Sequence, residues 1–87
     1  MNTVVDSNIK INKVFFRDEK VFFDLEDGRE IGAPLKWYPK LLNASEKERL
    51  NFSISPSGYG VHWKELDEDL SAYGMLHYNQ ELNTQSR

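Results

Sequence analysis

The segment VFFDLEDGREIGA, residues 21–33, constrains the fold more than any other stretch. Val21, Phe23 and Leu25 alternate with Phe22 and Asp24, the period-two pattern of a strand with one buried face. Asp27 and Gly28 then supply a tight turn, because glycine takes positive φ without steric cost. A third strand is expected from about Arg29 to Ala33. Upstream, IKINKVFF reads as the first strand, with Ile9, Ile11 and Phe15 on one face and Val14 and Phe16 on the other, and RDEK as a polar turn. The three strands make an antiparallel meander, whose short connections keep loop closure inexpensive.

Pro34 cannot donate to a ladder, so the sheet should end there. LKWYPKLLNA changes to helical spacing, with Trp37/Leu41 and Tyr38/Leu42 as i,i+4 pairs on one buried face and a helix from about Trp37 to Asn43. Pro39 is tolerated in the first turn, where its missing N–H has no intrahelical partner. Ser45 and Glu48 have the spacing of a capping box, opening a short helix through Leu50. NFSIS resumes alternation with Phe52 and Ile54 inward, PSGYG is a turn, and VHW is the return strand of a second hairpin. Beyond Trp63, the spacing of Leu66 and Leu70 predicts a short helix capped by Asp67 or Asp69 and ending at Gly74. The fold class is α+β: one small domain over 1–78, with a meander, short helices, a second short hairpin and a C-terminal helical turn. Residues 79–87 are expected to form a disordered tail.

With 87 residues the chain forms one domain, and a domain of this size buries only about 60% of its unfolded surface. Aromatic side chains, 13% of the composition, must supply much of the core. The absence of cysteine removes disulfides, thiolate metal sites and thiol nucleophiles, and favours a cytoplasmic setting. No apolar run approaches the roughly 20 residues of a membrane span. A formal charge of −3 with scattered basic residues offers no general attraction for nucleic acid.

The densest chemistry lies in GVHWKELDEDLSAYGM, where His62 is followed by Glu65, Asp67, Glu68 and Asp69. His62 with Asp67 and Asp69 could ligate a divalent ion, but a strand histidine and acids beyond a turn form no paired-histidine helix or calcium loop. The plainer reading is a histidine bonded to a neighbouring carboxylate. Two carboxylates could divide acid and base roles only in an apolar pocket that a thin core has little volume to build. No phosphate loop and no nucleophile elbow is present. Trp37, Tyr38 and Trp63 are expected in the core. Tyr59 and Tyr73, near turns, are read equally as surface residues and as anchors for a partner.

VFFDLEDGREIGAPLKWYPKLLNASEKERLNF followed by SGYGVHWKELDEDLSAYGML resembles the bacterial family catalogued as domain of unknown function 2442, over about Ile11 to Leu76. Its most specific parts are the DGRE turn, WYPKLLNAS, and GVHWKELDEDLS with Gly74 following. Two positions depart from the family pattern: Lys36 stands at an expected helix cap often held by serine, and Pro56-Ser57 alter the turn before Gly58. The resemblance implies a compact α+β domain and no established activity. It also implies kinship with proposed partners in toxin–antitoxin pairs, encoded beside another short protein. Related domains can carry a fused helix-turn-helix, but only a polar tail follows Leu76, so no such module is expected here.

The expected function is a non-enzymatic protein-interaction module, antitoxin-like or inhibitory, without cofactor or metal. Its contact residues are Tyr59, His62, Glu65, Asp67, Glu68, Asp69 and Tyr73, and its partner is a protein such as a toxin or a defence-complex subunit. Two alternatives stand beside it: a phage-borne anti-defence, anti-CRISPR-like inhibitor, and a metal-dependent enzyme using His62 and nearby carboxylates. An exposed meander edge pairing across a two-fold axis would give a homodimer, which polar edge residues would oppose.

Overall fold

Residues 9–78 are described by the structure, a computed structural model, and they build two three-stranded antiparallel sheets joined by short helices. The first sheet is the expected meander, β1 (Ile11–Arg17), β2 (Lys20–Leu25) and β3 (Glu30–Pro34). A turn of 3-10 helix (Leu35–Trp37), α1 (Pro39–Leu42) and α2 (Glu46–Leu50) lead to the second sheet. That sheet runs β4 (Ser53–Ile54), β5 (Gly60–Trp63) and β6 (Glu68–Ser71), and α3 (Ala72–Leu76) follows. The proposed tail, 79–87, lies outside the described residues.

In β2, Val21, Phe23 and Leu25 are buried while Phe22 and Asp24 are only partly so, as alternation requires. The two faces of β1 differ from the sequence expectation. A register shift between Ile11 and Lys13 inserts an extra residue, which turns Ile11 and Val14 to the same buried side. Phe15 consequently faces outward, stacked on Phe22 at 5.1 Å. Phe22 pairs with Gly32 across β3, and a Cβ at Gly32 would lie 2.5 Å from the Phe22 ring. Glycine there is what lets the ring lie flat on the strand.

The two residues between β1 and β2, Asp18 and Glu19, both take positive φ (54° and 61°). Gly28 does so at 99° in the β2–β3 turn, as expected. There Asp27 accepts from the Arg29 backbone N–H at 3.0 Å and from its guanidinium at 2.9 Å, interactions that hold its carboxyl below the usual range.

The middle of the chain is helical in shorter pieces than the spacing suggests. Tyr38 and Leu41 are buried and Leu42 is 40% exposed, so the i,i+4 pairing of Tyr38 with Leu42 on the inner face does not form. Proline at the first position of α1 separates it from the 3-10 turn, resetting which residues face inward. For the same reason Lys36 lies within the 3-10 turn and caps no helix. The Ser45/Glu48 capping box is formed, at 2.8 and 3.1 Å.

Trp63, fully buried, joins the sheets. Phe16 meets its ring edge-on at 6.5 Å, Phe52 leans on it at 5.9 Å, and its indole N–H donates to the Arg49 carbonyl at 2.8 Å. A second tie is the Ile11 N–H, which donates to the Gly58 carbonyl at 2.7 Å.

Candidate functional site

The acidic segment is a hairpin rather than a helix. Lys64–Asp67 form the turn, Asp67 takes φ 52°, and β6 returns antiparallel with Trp63 opposite Glu68, His62 opposite Asp69 and Val61 opposite Leu70. The i,i+4 spacing of Leu66 and Leu70 is outweighed by ladder pairing, and the helix that does form begins after Ser71. Ser71 caps it by accepting from the Gly74 N–H at 2.9 Å, which places Gly74 inside α3 and not at its end.

Directly opposite residues share a face, so the register sorts the acids into two environments. On the outer face, His62 Nδ1 lies 2.6 Å from Asp69 Oδ1, with side chains 45% and 76% exposed. Ser53 stands opposite His62 on the other flank. The second ring nitrogen of His62 meets no hydroxyl within hydrogen-bond distance among the described residues, so a nucleophile–base–acid relay is not assembled. Nor do three or more metal-ligating side chains converge anywhere among the described residues. Asp67, one of the three candidate ligands, sits in the turn.

On the inner face Glu68 is half-buried beneath α1. Burial pushes its carboxyl above the usual range, against the opposing pull of the Asp69 backbone N–H, which donates to Oε1 at 3.2 Å, and of Lys40. Lys40 spends its ammonium on the Asp67 carbonyl at 2.8 Å, tying the turn to α1. Tyr38, 7% exposed, has its phenol pushed up to about 12 by burial, with smaller contributions from Tyr78 and Glu68. Around these groups Trp37 stacks on Tyr78 at 4.1 Å and 2°, and Tyr38 stands edgewise to both at 76°. Trp37, Tyr38, Tyr78, Glu68, Leu70 and Met75 line a notch of about 410 Å³.

The sequence-nominated residues therefore do not form one cluster. His62 and Asp69 pair on the outer face, Glu65 and Asp67 occupy the turn, and Glu68 faces the notch. Tyr73, 51% exposed, lies on α3 with its ring 4.3 Å from that of His77. Tyr59 is in the β4–β5 turn, 39% exposed, with the Lys10 ammonium 6.0 Å from its ring centre. Tyr38 is in the core as expected, but sequence reading does not bring Trp37, Tyr38 and Tyr78 together around Glu68. The signal available was the aromatic density itself, Trp37-Tyr38 and Tyr78 bracketing the acidic hairpin.

This arrangement, a small α+β domain with two antiparallel sheets and a hairpin of carboxylates beside an aromatic notch, defines a class by its fold and not by a reaction. The chain belongs to the family described as protein of unknown function (DUF2442), whose model matches residues 11–81. Its fold is similar to a crystal structure of a protein of unknown function from Rhodospirillum rubrum, at 31% identity and TM-score 0.68, covering 79% of this chain and 86% of that one. It is also similar to the solution NMR structure of the uncharacterized protein CV0863 from Chromobacterium violaceum, at 28% identity and TM-score 0.66, covering 78% of this chain and 64% of that one. No curated protein matches. No helix among the described residues is long and apolar enough to cross a membrane.

Proposed function

We propose that the chain is a non-enzymatic protein-interaction module, an antitoxin-like partner or inhibitor, that docks through the β5–β6 hairpin in a cytoplasmic setting. One observation carries the reading. Glu65 and Asp67 project from a turn fixed at both ends, by the Trp63–Glu68 pair and by Lys40 on the Asp67 carbonyl, while neither carboxylate makes an ion pair among the described residues. Rigidly held, unpaired charge at a protruding tip steers a basic partner surface and loses little entropy on contact. Exposed Tyr73, on the α3 that follows β6, adds an amphipathic anchor of the kind enriched at interfaces.

The test is calorimetry with the protein encoded beside this chain. Binding should weaken at least tenfold for the Glu65→Lys/Asp67→Lys double variant and weaken with added salt. Equal affinity of variant and wild type, or no binding to any protein together with turnover of a substrate, would end the reading. The anti-defence alternative needs a local acidic patch rather than high net charge. The hairpin supports it to that extent, and plaque assays on defended hosts discriminate it. The metal-dependent alternative has the exposed His62–Asp69 pair as its support, and zinc titration followed on the His62 ring resonances tests it.

A further inference from the structure

We propose that the notch between the Trp37–Pro39 segment and the β6–α3 corner receives an arginine side chain from the partner protein, with Glu68 accepting its guanidinium and Trp37, Tyr38 and Tyr78 enclosing it. This rests on the docking reading above and names the contact that would give it specificity.

Two polar groups facing the notch, a half-buried carboxylate and a buried phenol, accept fewer hydrogen bonds than they can. Glu68 Oε1 accepts only the Asp69 N–H, and Oε2 makes no hydrogen bond among the described residues. The Tyr38 side chain is buried, yet its hydroxyl has no hydrogen bond among the described residues either. Acceptors that the chain itself leaves without donors are available to a donor-bearing guest entering the notch. Lys40, the nearest cation on the chain itself, is held by the Asp67 carbonyl and does not satisfy Glu68.

The chemistry of the wall selects the guest. A carboxylate oxygen and a phenol oxygen accept hydrogen bonds, which calls for a donor-rich group. The wall beside them is aromatic, which calls for a flat, weakly hydrated cation. Guanidinium meets both requirements, since it presents five donors in a planar fork and packs on ring faces. An ammonium would supply charge but neither the fork nor the stacking. The raised carboxyl of Glu68 agrees with this, because burial disfavours its ionised form and an entering cation would favour that form, adding to the pull of Lys40.

The test uses the full-length chain with an acetylated, amidated Gly-Arg-Gly peptide as probe and its citrulline analogue as the neutral isostere. NMR titration should move Trp37, Tyr38, Glu68, Leu70 and Tyr78 together, with the citrulline peptide at least tenfold weaker. Glu68→Gln should weaken the arginine peptide at least fivefold, and Tyr38→Phe, which removes only the hydroxyl, two- to fivefold. Equal binding of both peptides, or shifts confined to the hairpin tip, would overturn the proposal. So would the discovery that Arg87 of the same chain occupies the notch, seen as cross-peaks to Trp37 lost in Arg87→Ala, or that a second copy fills it, seen as concentration-dependent shifts. Binding of the neighbouring gene product to wild type and Glu68→Gln with equal affinity sinks the notch and leaves the docking reading standing. Arginine-peptide binding without any partner binding does the reverse.

Discussion

The two sheets are of equal strand number and opposite character. In the first, the inward faces of β1 and β2 carry Ile11, Val14, Val21, Phe23 and Leu25, all buried, and the outward face is closed by Phe15 on Phe22 on Gly32 with the Arg17 guanidinium 4.5 Å from the Phe22 ring. In the second, β5 supplies only Val61 and Trp63 as fully buried side chains, and β6 none. Its remaining positions hold a surface His–Asp pair, turn carboxylates and a half-buried glutamate. The meander thus buries more apolar side chains than the second sheet does. The second sheet, tied to it through Trp63, Val61 and the Ile11–Gly58 hydrogen bond, is free to carry polar groups on its remaining positions, chosen for something other than stability.

That division can be broken most sharply by substitution. Phe23→Ala empties a fully buried site in the first sheet and should cost about 3–5 kcal/mol, a large share of the roughly 5–15 kcal/mol typical of a domain. Asp69→Ala, at a 76% exposed side chain of the second sheet, should stay within about 0.5 kcal/mol. Urea midpoints at constant slope measure both. A cost for Asp69→Ala comparable to that of Phe23→Ala would show that the outer face of the second sheet is structural after all.

Strain in the turns sharpens the comparison at a smaller scale. Glu19 in the β1–β2 turn and Asp67 in the β5–β6 turn both hold positive φ, at 61° and 52°, where a side chain is disfavoured. Glu19→Gly should stabilise the protein by about 1 kcal/mol, and Asp67→Gly by a few tenths, because aspartate tolerates that region better than glutamate. The two should part in function. Partner affinity is expected to be unchanged by Glu19→Gly and lowered by Asp67→Gly, which removes a docking carboxylate. Equal affinity for both would detach the hairpin tip from binding.

The same contrast decides what could be read from residues alone. The meander was legible because Val21-Phe23-Leu25 alternate and Asp27-Gly28 admits one kind of turn, both local signals. The bulge near Ile11 was not, since an inserted residue leaves no mark on composition yet exchanges the faces of Ile9-Ile11 and Phe15. In the acidic segment, Leu66 and Leu70 imitate a helix, and the hairpin ladder that pairs β6 with β5 overrides them. The candidate site failed to be legible as a unit for the same reason: register sends Glu68 to one side and Asp69 to the other, a division invisible in DED. What sequence did carry was the pairing of His62 with a nearby carboxylate and the capping box at Ser45.

The smallest effect tests the inner side of that division directly. Glu68 holds its proton to higher pH in the fold than in the unfolded chain, because burial disfavours the carboxylate. Between the two values the folded protein binds more protons than the unfolded one, so stability falls as pH rises through the carboxylate range and levels off above the folded value. Asp27 acts with the opposite sign, since its carboxyl is held low by the Arg29 backbone N–H and guanidinium and contributes stability that is lost on acidification. Glu68→Gln leaves Asp27 untouched, so the difference between the wild-type and variant pH–stability curves isolates Glu68. That difference should shift against the wild type as pH rises, by a modest amount because the side chain is only partly buried and water screens it. Saturating arginine peptide should reduce the shift, since a guanidinium in the notch favours the ionised form of Glu68. A flat difference curve without peptide would mean that burial does not disfavour the Glu68 carboxylate, and the inner face of the hairpin would then carry no charge penalty to distinguish it.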